Sequence, residues 1–274
     1  MLFVPDVRVA PPAMVEVDGG LVHIGEDDGL ASERPSFVAR VGPFALDVRE
    51  VSTAEFARFV GETGYVTDAE RFGDGSVLGL PDGGWRLVAG AHWRFPQGPA
   101  EPAARADHPV TQVSWRDASA YCSHRSARLP TEIEWEHAAR NGNDDRTRYP
   151  WGDALWVDAE PRANVWQGPF PTENHRLDGY LGTAPVGSFP PTPLGLYDLV
   201  GNVWEWTSSV FVPYAERDDE APGDPLVERV LRGGSYLCEA SVCHGYRVSA
   251  RMGATPESAL EHVGFRCART ADAL

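Results

Sequence analysis

Two neighbouring segments decide the fold class: His108-Pro109-Val110-Thr111-Gln112-Val113-Ser114-Trp115 and Arg128-Leu129-Pro130-Thr131-Glu132-Ile133-Glu134-Trp135. The first reads as a short strand, His108 to Val113, ending at Ser114, which can cap a helix through about Ser126. In the second, Thr131 and Glu134 stand at capping-box spacing and open a helix that runs to Asn141-Gly142. Working outward, Phe44 to Val51 predicts a strand. Ser52 or Thr53 then caps a helix with Phe56, Phe59 and Val60 on one face, closing near Gly61 or Gly64. Met14–Val17 and Leu21–Ile24 flank Asp18-Gly19-Gly20, which predicts a strand pair across a tight turn. Residues 73 to 108 mix Gly, Pro, Trp and Arg without periodicity and predict a long ordered insertion. From Tyr149 onward the chain is turns, short strands and aromatics. With no linker and no repeat, the expectation is one α+β domain over residues 1–274 with little regular structure.

Composition narrows the function classes. The 274 residues hold 24 Lys and Arg against 40 Asp and Glu, a formal net charge of -16. Such a surface repels phosphate backbones and anionic headgroups, so neither nucleic acid nor a membrane is an expected partner. Met1 to Asp6 shows no basic, signal-type start, and nowhere do 18 apolar residues run together. The expectation is a soluble, cytoplasmic protein.

Chemistry concentrates in the cysteines. Cys238-Glu239-Ala240-Ser241-Val242-Cys243 places two thiols five residues apart, a spacing that permits a disulfide, a zinc site with His244, or a thiolate pair for Cu(I). Cys122, in the helix after Ser114, and Cys267, in the strand-like Val263–Ala268, each read as a small buried hydrophobe or as halves of a staple. No histidine pair has metalloprotease spacing, Gly233-Gly234 lacks a phosphate-loop context, and Gly-x-Ser-x-Gly is absent. Asn164, Asp178, Asp198 and Glu205 lie in oxygen-rich turns that can hold Ca²⁺ or simply form Asx turns.

These residues stand among many ordered motifs: Glu50-Val51-Ser52, Thr63-Gly64-Tyr65, Phe72-Gly73-Asp74, Arg128-Leu129-Pro130-Thr131-Glu132, Trp166-Gln167-Gly168, Gly201-Asn202-Val203-Trp204-Glu205-Trp206-Thr207, Gly233-Gly234-Ser235-Tyr236 and Gly264-Phe265-Arg266-Cys267. Together they resemble the formylglycine-generating enzymes, or sulfatase-modifying factors, over nearly the whole chain. The resemblance implies a C-type-lectin-like fold and an oxidase that uses Cu(I) and O₂ to turn a cysteine, in an unfolded Cys-x-Pro-x-Arg segment of a sulfatase, into Cα-formylglycine. It implies that Cys238 and Cys243 hold the copper and that Ser235 orients oxygen or water. It further implies two structural Ca²⁺ sites. One would use Asn164 and Asp178 with the carbonyls of Val165 and Tyr180, the other Asp198 and Glu205 with the carbonyls of Gly201 and Val203. Cys122 and Cys267 match a structural disulfide of some relatives, while a second bridge would need cysteines where Ala139 and Val248 stand. Departures fall at the implied substrate-facing positions Gly75, Ala259 and His262 and in Glu239–Val242. They keep open a copper oxidase of another peptide or small-molecule thiol. A non-catalytic binding module on the same fold is the alternative from a different class.

Overall fold

The computed structural model describes residues 12–217 and 227–271. The N-terminal start, read above for signal features, lies outside the described residues. Among the described residues all four α-helices open on a capping box, which satisfies orphan donors of their first turns. They are α1 (Thr53–Thr63, capped by Ser52 with Glu55), α2 (Asp68–Phe72, Thr67 with Glu70), α3 (Trp115–His124, Ser114 with Asp117) and α4 (Glu132–Ala139, Thr131 with Glu134). Gly64, in the left-handed region with φ 67°, closes α1.

The N-terminal hairpin expectation is overturned. Met14–Val17 and Gly20–Ile24 both form strands, yet they pair with Phe44–Asp47 and Phe37–Val41 respectively, at one constant register. They are two halves of a single long strand in an antiparallel ribbon. Asp18-Gly19 is the interruption, opposite Gly42-Pro43, where proline has no N–H to continue the ladder. A Cβ on Gly19 would sit 2.6 Å from the Val41 carbonyl, so this glycine serves close approach rather than a turn. Ala268–Thr270 adds a third strand beside Phe44–Asp47.

Two further expectations are corrected. His108 to Val113 is buried but makes only a single bridge, Pro109 to Ser52, because Gln112 turns to φ 55°. The insertion after residue 73 contains a regular hairpin, Asp74–Gly79 paired with Gly84–Ala89. A four-stranded sheet occupies the centre in the order Arg251–Ala254, Arg229–Arg232, Trp204–Val210, Val263–Gly264, the last pair parallel.

One apolar cluster joins α1 and α3 to Trp204, Trp206, Phe265 and Cys238, and a second joins α4 to the ribbon. With so little regular structure, buried ion pairs tie distant segments. Arg266 grips Glu205 at 2.6 and 2.7 Å with both side chains fully buried, and Arg232 meets Glu136 at 2.6 Å. Cys122 and Cys267 form a disulfide with Cα atoms 5.6 Å apart, which resolves their two readings in favour of the staple. Ala139 and Val248 share the second cluster, filling with methyl groups the place the resemblance gave to another bridge. Among the described residues, no helix is long and apolar enough to cross a membrane.

Candidate active site

The central sheet delivers the thiols. Arg229–Arg232 runs into Gly233-Gly234, both at positive φ, and the chain then passes through Ser235, Tyr236 and Leu237 to Cys238. Glu239 begins a tight loop in which its carbonyl accepts the N–H groups of Val242, Cys243 and His244 at 3.0–3.2 Å. That loop brings Cys243 back beside Cys238, with Cα atoms 5.6 Å apart and the two sulfurs paired. Cys238 is buried, Cys243 is half-buried and Val242 between them is 60% exposed, so the pair is approached from the Cys243 side.

Gly245, which the sequence reading missed, shapes this site twice. Its N–H donates to Cys243 Sγ at 3.3 Å. A Cβ on it would collide with the Trp204 ring and lie 3.2 Å from Cys238 Sγ, so glycine lets that ring pack against the thiol loop. Ser235 is fully buried. Its hydroxyl accepts the Leu237 N–H at 3.3 Å and faces Cys238 Sγ at 3.9 Å. Two adjacent soft sulfur donors, one facing the Ser235 hydroxyl and the other receiving an N–H, suit Cu(I). His244 instead sets its ring edge-on to Tyr246, 5.1 Å between centroids, and no three His, Cys, Asp or Glu side chains group for a metal among the described residues. The zinc reading therefore lacks its ligand set.

Tyr236 and Leu237 also line a groove formed by two merging cavities of about 360 and 440 Å³. Glu101 and Glu261 put carboxylates along it. Glu261 is buried and accepts Leu78 N–H at 2.6 Å and Gln97 Nε2–H at 3.1 Å. The residues given above as substrate-facing do not line these two cavities. Gly75 is covered by Gln112, whose amide occupies the place a side chain would take. The Ala259 carbonyl accepts Ser76 N–H, and His262 lies under Trp85, 4.9 Å between ring centroids.

The two oxygen-rich turns sit behind the thiol loop. In the first, Asp178 accepts N–H groups from Val165 and Tyr180, both at 3.0 Å, and Gln167 Nε2 donates at once to Asp178 Oδ2, 2.6 Å away, and to the Val165 carbonyl. Two oxygens thus converge on one electropositive group, a donor set fit for Ca²⁺. In the second, Asp198 and Glu205 are buried near a third carboxylate, Glu50, which sequence reading also missed. Burial, with Glu205 close by, pushes the Asp198 carboxyl up to about 6, and burial beside Asp198 and Glu205 drives Glu50 well above its ordinary range. Arg266 answers these three acids and Arg49, itself paired with Glu55, lies near Asp198, so negative charge remains that a divalent cation fits.

A family model described as the sulfatase-modifying factor enzyme 1-like domain matches residues 2–271. The chain belongs to this family. It is 47% identical to a formylglycine-generating enzyme of Streptomyces coelicolor, a match covering 94% of this chain and 89% of that one. It is 42% identical to a mouse protein named inactive C-alpha-formylglycine-generating enzyme 2, covering 95% and 86%. The solved structure of PvdO from Pseudomonas aeruginosa shares the fold at a TM-score of 0.72, with 24% identity and 95% of each chain covered.

His262 yields a test of its burial. Its Nδ1 has no partner, and burial pushes the imidazole down to about 3. The unfolded chain takes up a proton below about 6.5, whereas the folded chain does not, so stability present above that pH is lost as pH falls toward 3. Between pH 7 and 5, wild type should lose about 2 kcal/mol more than His262→Asn, at about 1.4 kcal/mol per pH unit below 6.5. Urea unfolding at both pH values measures it, and parallel losses in the two proteins would show that His262 is not held neutral.

Proposed function

We propose that this chain converts a cysteine of an unfolded sulfatase segment into Cα-formylglycine; relatives at 43–47% identity are named formylglycine-generating enzymes, and the matching family model is described as a sulfatase-modifying factor. Because a relative 42% identical is named inactive, kinship alone does not carry the reading. The carrying observation is the pair Cys238 and Cys243, closed into one two-sulfur site that directly follows Tyr236 and Leu237, two residues of the groove lining.

In this reading the two sulfurs hold Cu(I), which when bound supplies the redox chemistry that delivers substrate electrons to O₂. The chain's own residues do the rest. The groove past Tyr236 and Leu237 takes an extended peptide, and Glu101 offers its carboxylate to a basic residue such as the arginine of Cys-x-Pro-x-Arg. The Ser235 hydroxyl, its oxygen already engaged by Leu237 N–H, directs its proton toward Cys238 Sγ and stabilises negative charge there. Gly245 N–H does the same for Cys243. Loss of two electrons and two protons from the substrate Cβ–H and S–H leaves a thioaldehyde, and water hydrolyses it to the aldehyde with release of H₂S. Ca²⁺ at the two oxygen-rich turns is part of the proposal, in a structural role.

Oxidation of a different thiol substrate drew on the departures at Glu239, Ala259 and His262. Ala259 and His262 are buried and do not line the groove, whereas Glu239 stands in the thiol loop and is the observation on which this second reading rests. The test is mass spectrometry of a Cys-x-Pro-x-Arg peptide after incubation with copper-loaded protein, O₂ and a thiol reductant. The expected product is lighter by about 18 Da, thiol replaced by aldehyde oxygen. An unchanged peptide, with copper bound, would refute the sulfatase-type reading.

A further inference from the structure

Asn202 connects the two oxygen-rich turns and the thiol segment. It is 1% exposed, sits in the left-handed region at φ 56°, and uses every polar group it has. Its Oδ1 accepts Asn164 Nδ2–H at 3.1 Å and Ala184 N–H at 2.8 Å, while its N–H donates to the Asn164 carbonyl at 2.8 Å. Asn164 belongs to the first oxygen-rich turn. On its other side, Asn202 Nδ2 donates to Glu50 Oε2 at 2.6 Å, and Glu50 Oε1 accepts the N–H of Val203 at 3.3 Å. Val203 and Gly201, the neighbours of Asn202 in sequence, belong to the second turn.

The thiol segment hangs from the same two turns. Gly201 N–H donates to Gly233 O at 2.8 Å, Asn202 O accepts Tyr236 N–H at 2.9 Å, and Trp166 N–H, two residues past Asn164, donates to the carbonyl of Cys238 at 3.1 Å. The only chain between Gly233 and Cys238 is therefore clamped at its start, middle and end by the two turns, with Asn202 between them.

We propose that Asn202 is a positioning residue that couples the two Ca²⁺ turns to each other and to the Cys238–Cys243 pair, so that the ions bind cooperatively and together fix the thiol loop. The proposal rests on the calcium reading above and needs no copper. Ordering the first turn fixes Asn164, which sets the Asn202 amide, which in turn holds Glu50 and the Val203 backbone where the second ion needs them. A second ion then meets a turn already ordered, the condition for positive coupling between sites.

Calorimetric titration of the chelator-stripped full chain with CaCl₂ tests the coupling. Asp178→Ala should remove the first site and weaken the second by at least about fivefold, the lower end of ordinary coupling between sites. In the Asn202→Ala background, Asp178→Ala should leave the affinity of the second site unchanged. A second measurement does not depend on Asn202→Ala folding. After mild reduction, iodoacetamide labelling of Cys238 and Cys243, followed by peptide mass spectrometry, should be severalfold slower with Ca²⁺ than with chelator. Wild-type sites that bind with independent affinities, or labelling rates blind to Ca²⁺, would overturn the coupling while leaving the calcium sites intact. No Ca²⁺ bound in either measurement would overturn both.

Discussion

Cys238→Ser should lose peptide conversion by on the order of a hundredfold or more while melting near the wild-type temperature. Loss of a group that merely supports a metal ligand already costs about ten- to a hundredfold in affinity or activity, and here a soft ligand itself is exchanged for a hard, protonated hydroxyl. The fold has little reason to respond. Cys238 and Cys243 close a loop of only five residues, so their pairing constrains the unfolded chain weakly, and serine fits the space of cysteine. Cys243→Ser should behave alike, with one distinction. It is the half-buried, solvent-facing partner, so its loss removes the sulfur that an incoming thiol meets first. Parallel measurements of Cu(I) affinity, conversion rate and melting temperature decide the matter. A Cys238→Ser protein that binds Cu(I) as tightly as its parent and converts peptide at the parent rate would refute the two-sulfur mechanism and return the pair to the status of a simple disulfide.

How far this site was legible in the sequence depends on how local its determinants are. The N-cap at Ser114 and the capping box at Thr131 announced α3 and α4 because a cap lies beside the helix it opens. The thiol pair was visible for the same reason, both sulfurs standing within one short loop. Gly245 was not, although it follows Cys243 by two. Its φ is not positive, so its need for glycine comes from Trp204, a ring 41 residues upstream in sequence. Glu50 and Asn202 were quoted only as motif members, since their hydrogen bond joins residues 152 positions apart. The same distance hides the buried ion pairs, such as Glu33 with Arg247.

The two misread hairpins fail for opposite reasons. Asp18-Gly19-Gly20 has turn composition, yet Pro43 across the ribbon is what breaks the ladder there, and no local pattern reveals a residue on the facing strand. The hairpin at Asp74–Gly79 and Gly84–Ala89 has regular pairing but an almost wholly exposed second strand, with Trp85 and Leu87 facing solvent. The alternation that marks a half-buried strand is consequently missing. That exposure also explains why the segment reads as a loop, although it carries Trp85 over His262 and Arg86 into the groove wall.

The other cysteine pair should show the reverse phenotype. Cys122 and Cys267 are 145 residues apart in sequence, and closing so long a loop restricts the unfolded chain by about 5 kcal/mol on the chain-entropy account, with roughly 3–5 expected in practice. Both side chains are fully buried in the first apolar cluster, beside Tyr121 and Phe265. The backbone of Cys267 is held apart from the bridge, its N–H donating to Asp47 Oδ2 and its carbonyl accepting Asp47 N–H, both at 2.9 Å. Cys122→Ala/Cys267→Ala therefore keeps the strand in place and buries no new hydroxyl, so the fold should survive with a melting temperature lower by roughly 10 °C, as a loss of this size gives for a chain of this length. Because the bridge joins α3 to the residue before Ala268–Thr270 and, although it shares the first apolar cluster with Cys238, makes no bond to the Cys238–Cys243 loop, conversion at 25 °C should remain within about twofold of wild type, as expected for sites without shared bonded partners. Thermal melts with and without excess reductant measure the first effect, and the peptide assay measures the second. A double variant that melts with wild type would mean that the bridge contributes nothing to stability. One that melts normally but converts no peptide would place the redox chemistry at Cys122 and Cys267 instead of at the loop.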